Sequence, residues 1–174
     1  MKIATQVFIA HARGRAAKRN PHRPFGPRGR RHRFDNVLLD NAAAAREGTR
    51  HLISLGHRRI LLLASDTSLR NVRERIEGYR EALVEADLSG FENVLVAGHN
   101  DAEHARQTLL PVLAGPGRPS ALFAVTQTMT IGALQTLWEA GLELPKDISL
   151  LALEMEQKRW EKIIRQHQIV WPTA

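Results

Sequence analysis

The chain of 174 residues contains no cysteine. Disulfide frameworks, thiolate metal sites and cysteine nucleophiles are therefore excluded, and the composition fits a cytoplasmic protein. No run of about eighteen apolar residues occurs, so no membrane-spanning helix is expected. The opening ten residues, Met1 to Ala10, make a poor signal peptide, because their apolar part is short and arginines follow at once. Aromatic residues are scarce at 5%, and Tyr79, Trp138 and Trp160 sit at helical spacing with aliphatic residues, which makes them core or interface positions. Acidic residues are absent from residues 1–34, which hold ten Lys and Arg, whereas the remainder has 15 basic against 18 acidic residues. The overall charge of +7 thus belongs to one end of the chain.

That end, residues 1–34, is rich in Arg, Pro, Gly and His and has almost no apolar periodicity. It cannot bury enough apolar surface to offset the entropy of ordering and is expected to be irregular. Three readings remain open for it: a nucleic-acid-binding arm, a solvated tail, or sequence that does not belong to the fold.

From residue 35 the pattern becomes that of an α/β domain. Asn36 to Asp40 is a short apolar run expected as a strand, and Asn41 to Leu55 has the composition of a helix, with Asp40 or Asn41 as its N-cap. Gly56 stops that helix, and Arg59 to Ala64 has the length of a buried strand. Ser65 to Val72 is polar and expected as a loop, followed by a helix over Arg73 to Ala86 with Ile76, Tyr79, Leu83 and Ala86 on one face. A third strand is expected at Asn93 to Ala97, then a helix from Ala102, capped by Asp101, that Pro111 should end or kink. Ser120 to Val125 reads as a fourth strand and Met129 to Ala140 as a helix with Thr130, Leu134, Leu137, Trp138 and Gly141 on one face, ended by Gly141. Ile148 to Leu153 reads as a fifth strand. A helix around Trp160 to Ile164 and an extended segment at Gln168 to Trp171 complete the pattern.

Five β-α repeats imply a doubly wound parallel sheet covered on both faces, with right-handed crossovers. Ligands of such sheets sit beyond the carboxyl ends of the strands. The segments there are Ser65 to Arg75, Gly98 to Asp101, Thr126 to Thr128, and Glu154. They offer hydroxyls, amides, arginines and a carboxylate, which suits a polyhydroxylated ligand such as a sugar or nucleoside. The candidate ligand-binding residues are Arg75, Glu154, Arg70, Thr126, Gln127 and Asn100. No nucleophile-base pair or paired carboxylates occur among these loops, so no catalytic residue and no cofactor is expected, and P-loop, G-x-S-x-G and G-x-G-x-x-G motifs are absent. Of the eight histidines, only His99 and His104 have a spacing compatible with zinc, without further ligands nearby, so no metal site is expected. His57, just past a helix stop, reads as a turn-packing residue.

Six stretches in order carry a resemblance. They are Asp40-Asn41, Leu52-Ile53-Ser54-Leu55-Gly56-His57-Arg58-Arg59-Ile60, Arg75-Ile76-Glu77-Gly78-Tyr79, Pro119-Ser120-Ala121-Leu122-Phe123, Met129-Thr130-Ile131-Gly132-Ala133-Leu134, and the run from Gly141 to Leu150. Over roughly residues 36–172 the chain resembles the lactose/galactose repressor family (LacI/GalR), in its effector-binding, periplasmic-binding-protein-like part. The resemblance implies mainly the C-terminal one of two α/β subdomains that close on a small effector, often a sugar, in a dimeric bacterial transcription regulator. It implies that Arg75 is the effector-binding arginine, a planar fork for two ligand oxygens. It also exposes departures. Glu154 stands where the family commonly has an effector-binding aspartate, Thr126-Gln127 where it has Asn-Asp or Asn-Asn, and Asn100 where an aromatic often stacks on the ligand.

The helix-turn-helix headpiece, hinge helix and first subdomain of that family are not recognisable before Asn36. The expectation is a truncated or frame-shifted relative of that family, with residues 35–174 a partial effector-binding α/β domain and DNA contacted only through a headpiece absent from this chain. The partners implied are a small-molecule effector and a second copy of the chain, with no membrane. A transport-type sugar-binding protein on the same fold and an enzyme on an open α/β sheet are the alternatives.

Overall fold

A computed structural model describes residues 40–153. The expected strand at Asn36 to Asp40, all but its last residue, and the expected elements around Trp160 to Ile164 and Gln168 to Trp171 lie outside the described residues, as does the basic N-terminal stretch. Within them the order is α1 (Asn41–Ser54), β1 (Ile60–Ala64), α2 (Arg70–Glu85), a 3-10 turn (Ser89–Phe91), β2 (Val94–Val96), α3 (Ala102–Ala114), β3 (Ala121–Ala124), α4 (Gln127–Glu139) and β4 (Ser149–Ala152).

The four strands form one parallel sheet in the order β2-β1-β3-β4. Strand alternation divides the core into two layers, because successive side chains point to opposite faces. Ile60, Leu62, Ala64, Phe123 and Leu151 pack with Leu52 of α1 and Ile76, Tyr79 and Leu83 of α2. Leu61, Leu63, Leu122, Ala124 and Leu150 pack with Leu109 and Leu113 of α3 and Met129, Leu134 and Leu137 of α4. The sheet is therefore apolar on both faces, which is why β1 and β3 read as unbroken apolar runs rather than alternating ones.

Each helical layer is closed by a glycine. A Cβ on Gly78 of α2 would lie 2.0 Å from the Ala42 carbonyl oxygen of α1, and one on Gly132 of α4 would lie 2.5 Å from the Ala105 Cβ of α3. Only glycine lets these backbones come so near.

The expected helix stops and most of the expected caps are in place. Asp40 accepts from Ala43 N at 3.0 Å and Asp101 from His104 N at 2.9 Å, while Gly56 and Gly141 take the positive φ values that end α1 and α4.

Three expectations are corrected. Helix α2 begins at Arg70, not Arg73, because Asp66 closes the preceding turn locally: its carboxylate accepts from both the Ser68 N–H and the Ser68 hydroxyl at 2.7 Å. Arg70, expected in a loop, is the first residue of that helix. Of the two outcomes expected at Pro111, a helix end is overturned: α3 runs on to Ala114, and Gln107, whose carbonyl the proline cannot serve, is an exposed residue. Trp138 does not share the buried face of Thr130, Leu134 and Leu137, being 56% exposed; it follows Leu137 by one residue, about 100° round the helix.

Candidate functional site

Between β1 and β3 the chain order reverses: β1 leads through α2 to β2 on one side, and the chain then crosses back to β3 on the other. The connections leaving the carboxyl ends of β1 and β3 thus diverge, and a crevice between them is where open α/β sheets bind ligands. Five of the six candidate residues lie on the segments at this end of the sheet. Glu154 lies outside the described residues.

The candidates form two hydrogen-bonded groups. The first centres on Arg75, which is 1% exposed. Its Nε and Nη2 both donate to Asn41 Oδ1, at 3.0 and 2.9 Å, and its Nη1 donates to the Val125 carbonyl just beyond β3. Asn41 in turn donates through Nδ2 to Glu74 Oε2 at 2.9 Å, and the other Glu74 oxygen accepts from Arg70 Nε at 2.6 Å. Arg70 itself is largely exposed. One chain of polar contacts therefore joins the first turns of α1 and α2 to the end of β3.

The second group lies beside β2 and β3. Thr126, the N-cap of α4, accepts from Met129 N at 3.4 Å and donates its hydroxyl to Asn100 Oδ1 at 3.2 Å. Gln127 follows as the first residue of α4 and is half-buried. Val125 connects the two groups, since its carbonyl is held by Arg75 and its neighbour Thr126 meets Asn100.

Around these groups the loops are braced. Arg73 donates to the Thr67 and Ser68 carbonyls. The hydrogen bonds from Ser68 hold the Asp66 carboxyl below its ordinary value. His99 and His104 stack in a tilted arrangement, 4.3 Å between ring centres, and His104 Nδ1 lies 2.6 Å from Asp101 Oδ2. Hydrogen bonds from His104 lower the pKa of Asp101. Among the described residues no group of three or more His, Asp or Glu could hold a metal ion.

Residues 49–158 match the periplasmic binding protein-like domain family. The chain belongs to this family. Its relatives there are LacI/GalR-type regulators. It is similar to the ribose operon repressor of Haemophilus influenzae, 29% identical over 69% of this chain and 36% of that protein. It is likewise similar to the HTH-type transcriptional regulator GalR of Escherichia coli, 30% identical over 70% of this chain and 36% of that protein. Among solved structures, a regulatory protein of LacI family from Chloroflexus aggregans superposes with a TM-score of 0.58 at 34% identity, over 65% of this chain and 41% of that one. The chain thus spans little more than a third of the length of the two curated relatives.

In this periplasmic binding protein-like domain three residues join the site that the loop composition did not single out: Asn41, Glu74 and Ser65. Asn41 appeared as a possible helix cap and in the first of the six family-like stretches, yet the cap is Asp40 and Asn41 is turned to Arg75 instead. Glu74 sits inside a helix with no local signal of its role. Ser65, at the carboxyl end of β1, is fully buried, and its hydroxyl has no hydrogen-bond partner among the described residues. Among the described residues no helix is long and apolar enough to cross a membrane.

Proposed function

We propose that residues 35–174 supply one half of the effector-binding unit of a LacI-family transcriptional regulator, and that the effector is a sugar or related polyhydroxylated molecule. The effector lies at the carboxyl ends of β1 and β3, with Arg75, Thr126, Gln127, Asn100, Arg70 and Glu154 offering it hydrogen bonds. The observation that carries this reading is the convergence of two polar groups, Arg75 with Asn41 and Thr126 with Asn100, on the reversal point of the sheet. A buried guanidinium with a fixed plane is suited to adjacent hydroxyls, and amide and hydroxyl neighbours supply paired donors and acceptors.

In this reading the protein acts in the cytoplasm as a homodimer and is not an enzyme, and contact with DNA falls to a headpiece distinct from this domain. Effector closure then changes operator affinity, a coupling between two separate sites. Trp138, exposed at the end of α4, is available to a dimer interface.

Thermal unfolding of the chain with D-ribose, D-galactose and adenosine tests the effector class. A sugar present at a hundred times its Kd stabilises by about 2.7 kcal/mol, a rise of roughly 10 °C or more for a domain of this size. A melt unmoved by either sugar and shifted by adenosine sinks the sugar assignment; a melt moved by none of the three sinks ligand binding by this chain.

A further inference from the structure

The arginine that the proposed site depends on is held by a residue from a different helix, and that residue is held by a third. Asn41 Oδ1 receives both Nε and Nη2 of Arg75, a two-pronged contact along one edge of the guanidinium. An amide oxygen in that position fixes the plane of the fork and not merely its location. The amide could in principle be turned the other way, placing NH2 against the guanidinium. Glu74 prevents this, because its carboxylate accepts only, and it takes Asn41 Nδ2 at 2.9 Å. A turned Asn41 would set two donors against Arg75 and an acceptor against Glu74. The Val125 carbonyl then receives Nη1 from another side, so the guanidinium is held by α1 and by the end of β3 while its own backbone belongs to α2.

The reach is possible because α1 and α2 are unusually close there. Gly78, one turn beyond Glu74, faces the backbone of Ala42, the residue after Asn41. The same approach that excludes a side chain at Gly78 brings the Asn41 amide within hydrogen-bonding distance of both Glu74 and Arg75.

We infer that Asn41, locked in one amide orientation by Glu74, is a positioning residue that sets the plane of the Arg75 guanidinium for ligand. This rests on the proposed role of Arg75 in effector binding, and the two ideas fail separately.

The experiment follows the Arg75 Nε–H by nitrogen-15 NMR in the full chain, assigned by its disappearance in Arg75→Lys, together with calorimetric binding of D-ribose and D-galactose. In the unmodified chain the Nε–H is expected to exchange slowly with solvent. Asn41→Leu, similar in volume but without an acceptor, is expected to speed that exchange about tenfold or more, while the Arg106 Nε–H on α3, which donates to Glu103, is unchanged. Asn41→Asp keeps the accepting oxygen and is expected to retain the slow exchange. Glu74→Ala, which frees the amide to turn, is expected to fall between them.

Fast exchange at Arg75 in the unmodified chain overturns the inference, and so does unchanged exchange in Asn41→Leu. Equal acceleration at Arg75 and Arg106 in Asn41→Leu overturns it as well, because that marks a general loss of structure. Loosening by Asn41→Asp as large as by Asn41→Leu has the same meaning. If the exchange pattern holds and neither sugar binds, the hold on the guanidinium plane stands and the sugar-binding reading falls; if binding survives Arg75→Lys, the assignment of Arg75 to the ligand falls. If binding is lost in Arg75→Lys but keeps its affinity in Asn41→Leu, the sugar reading stands and the positioning role falls.

Discussion

The two ends of the sheet are built differently. At the amino end the contacts are neutral and mostly end on backbone groups. Gly56 turns the chain after α1, Ser120 N and its hydroxyl both donate to the Arg59 carbonyl, and His57 Nδ1 meets the Ser120 hydroxyl at 3.0 Å. The Nε2 of His57 is buried and has no hydrogen-bond partner among the described residues. The Tyr79 hydroxyl completes this end by donating to the Ile60 carbonyl and accepting from Asn93 N. At the carboxyl end the contacts are mostly between side chains and involve charge: Asn41 with Glu74 and Arg75, Arg75 with Val125, Asn100 with Thr126. One end closes the fold, and the other spends buried polar groups on holding side chains in place. That division is what a scaffold with a site at one edge requires.

The difference can be broken most forcefully where the helices at the site end touch. Gly78→Ala would put its Cβ against the Ala42 backbone, which cannot yield as a flexible side chain would, and is expected to cost about 3 kcal/mol in urea denaturation. An unchanged midpoint would mean that α1 is free to shift and that the close approach is not required.

At the amino end, Tyr79→Phe is expected to cost about 2 kcal/mol, since it leaves a buried carbonyl and an N–H without their partner. A loss well below 1 kcal/mol would show that water replaces the hydroxyl and that this end is more open than it looks.

A pH titration separates the ends more gently. Burial lowers the pKa of His57 below its ordinary value of 6.5. Between the lowered folded value and the unfolded value the unfolded chain binds more protons, so stability rises with pH across that window. The His57 contribution is full above about pH 6.5 and is lost as pH falls towards the folded value, and replacing His57 by Gln should flatten that part of the curve. A curve unchanged by the substitution would assign the acid sensitivity elsewhere.

The smallest effect is expected from Arg70→Ala. Its pair with Glu74 is largely exposed, so the loss should stay within about 0.5 kcal/mol. A larger loss would extend the rigid part of the site to the surface.

These contrasts also explain what could be read from the sequence. The strands were legible because a sheet covered on both faces needs unbroken apolar runs such as Ile60 to Ala64, and helix ends were legible because Asp101, Gly56 and Gly141 act within a few residues of themselves. The family was legible from six stretches in order. The start of α2 was missed because the Asp66 to Ser68 turn takes so few residues, and Trp138 was misplaced because neighbouring helix positions diverge by a little more than a right angle. At the site, Thr126 and Asn100 stood out as polar residues beyond strands. The partnership of Asn41 with Arg75 did not, since 34 residues separate them and nothing local to either announces the other. Polar networks between elements leave no periodic trace.

The lock of His57, Ser120 and Arg59 has a consequence for how such a domain can change over generations. It fixes the starts of β1 and β3 side by side without using any residue from the opposite edge of the sheet. Substitutions at Asn100, Thr126 or Gln127 therefore leave strand register alone, and most fall within the modest losses that a folded domain tolerates. The strand starts are thus held independently of the residues at the opposite end, so those positions can vary without unpairing β1 from β3.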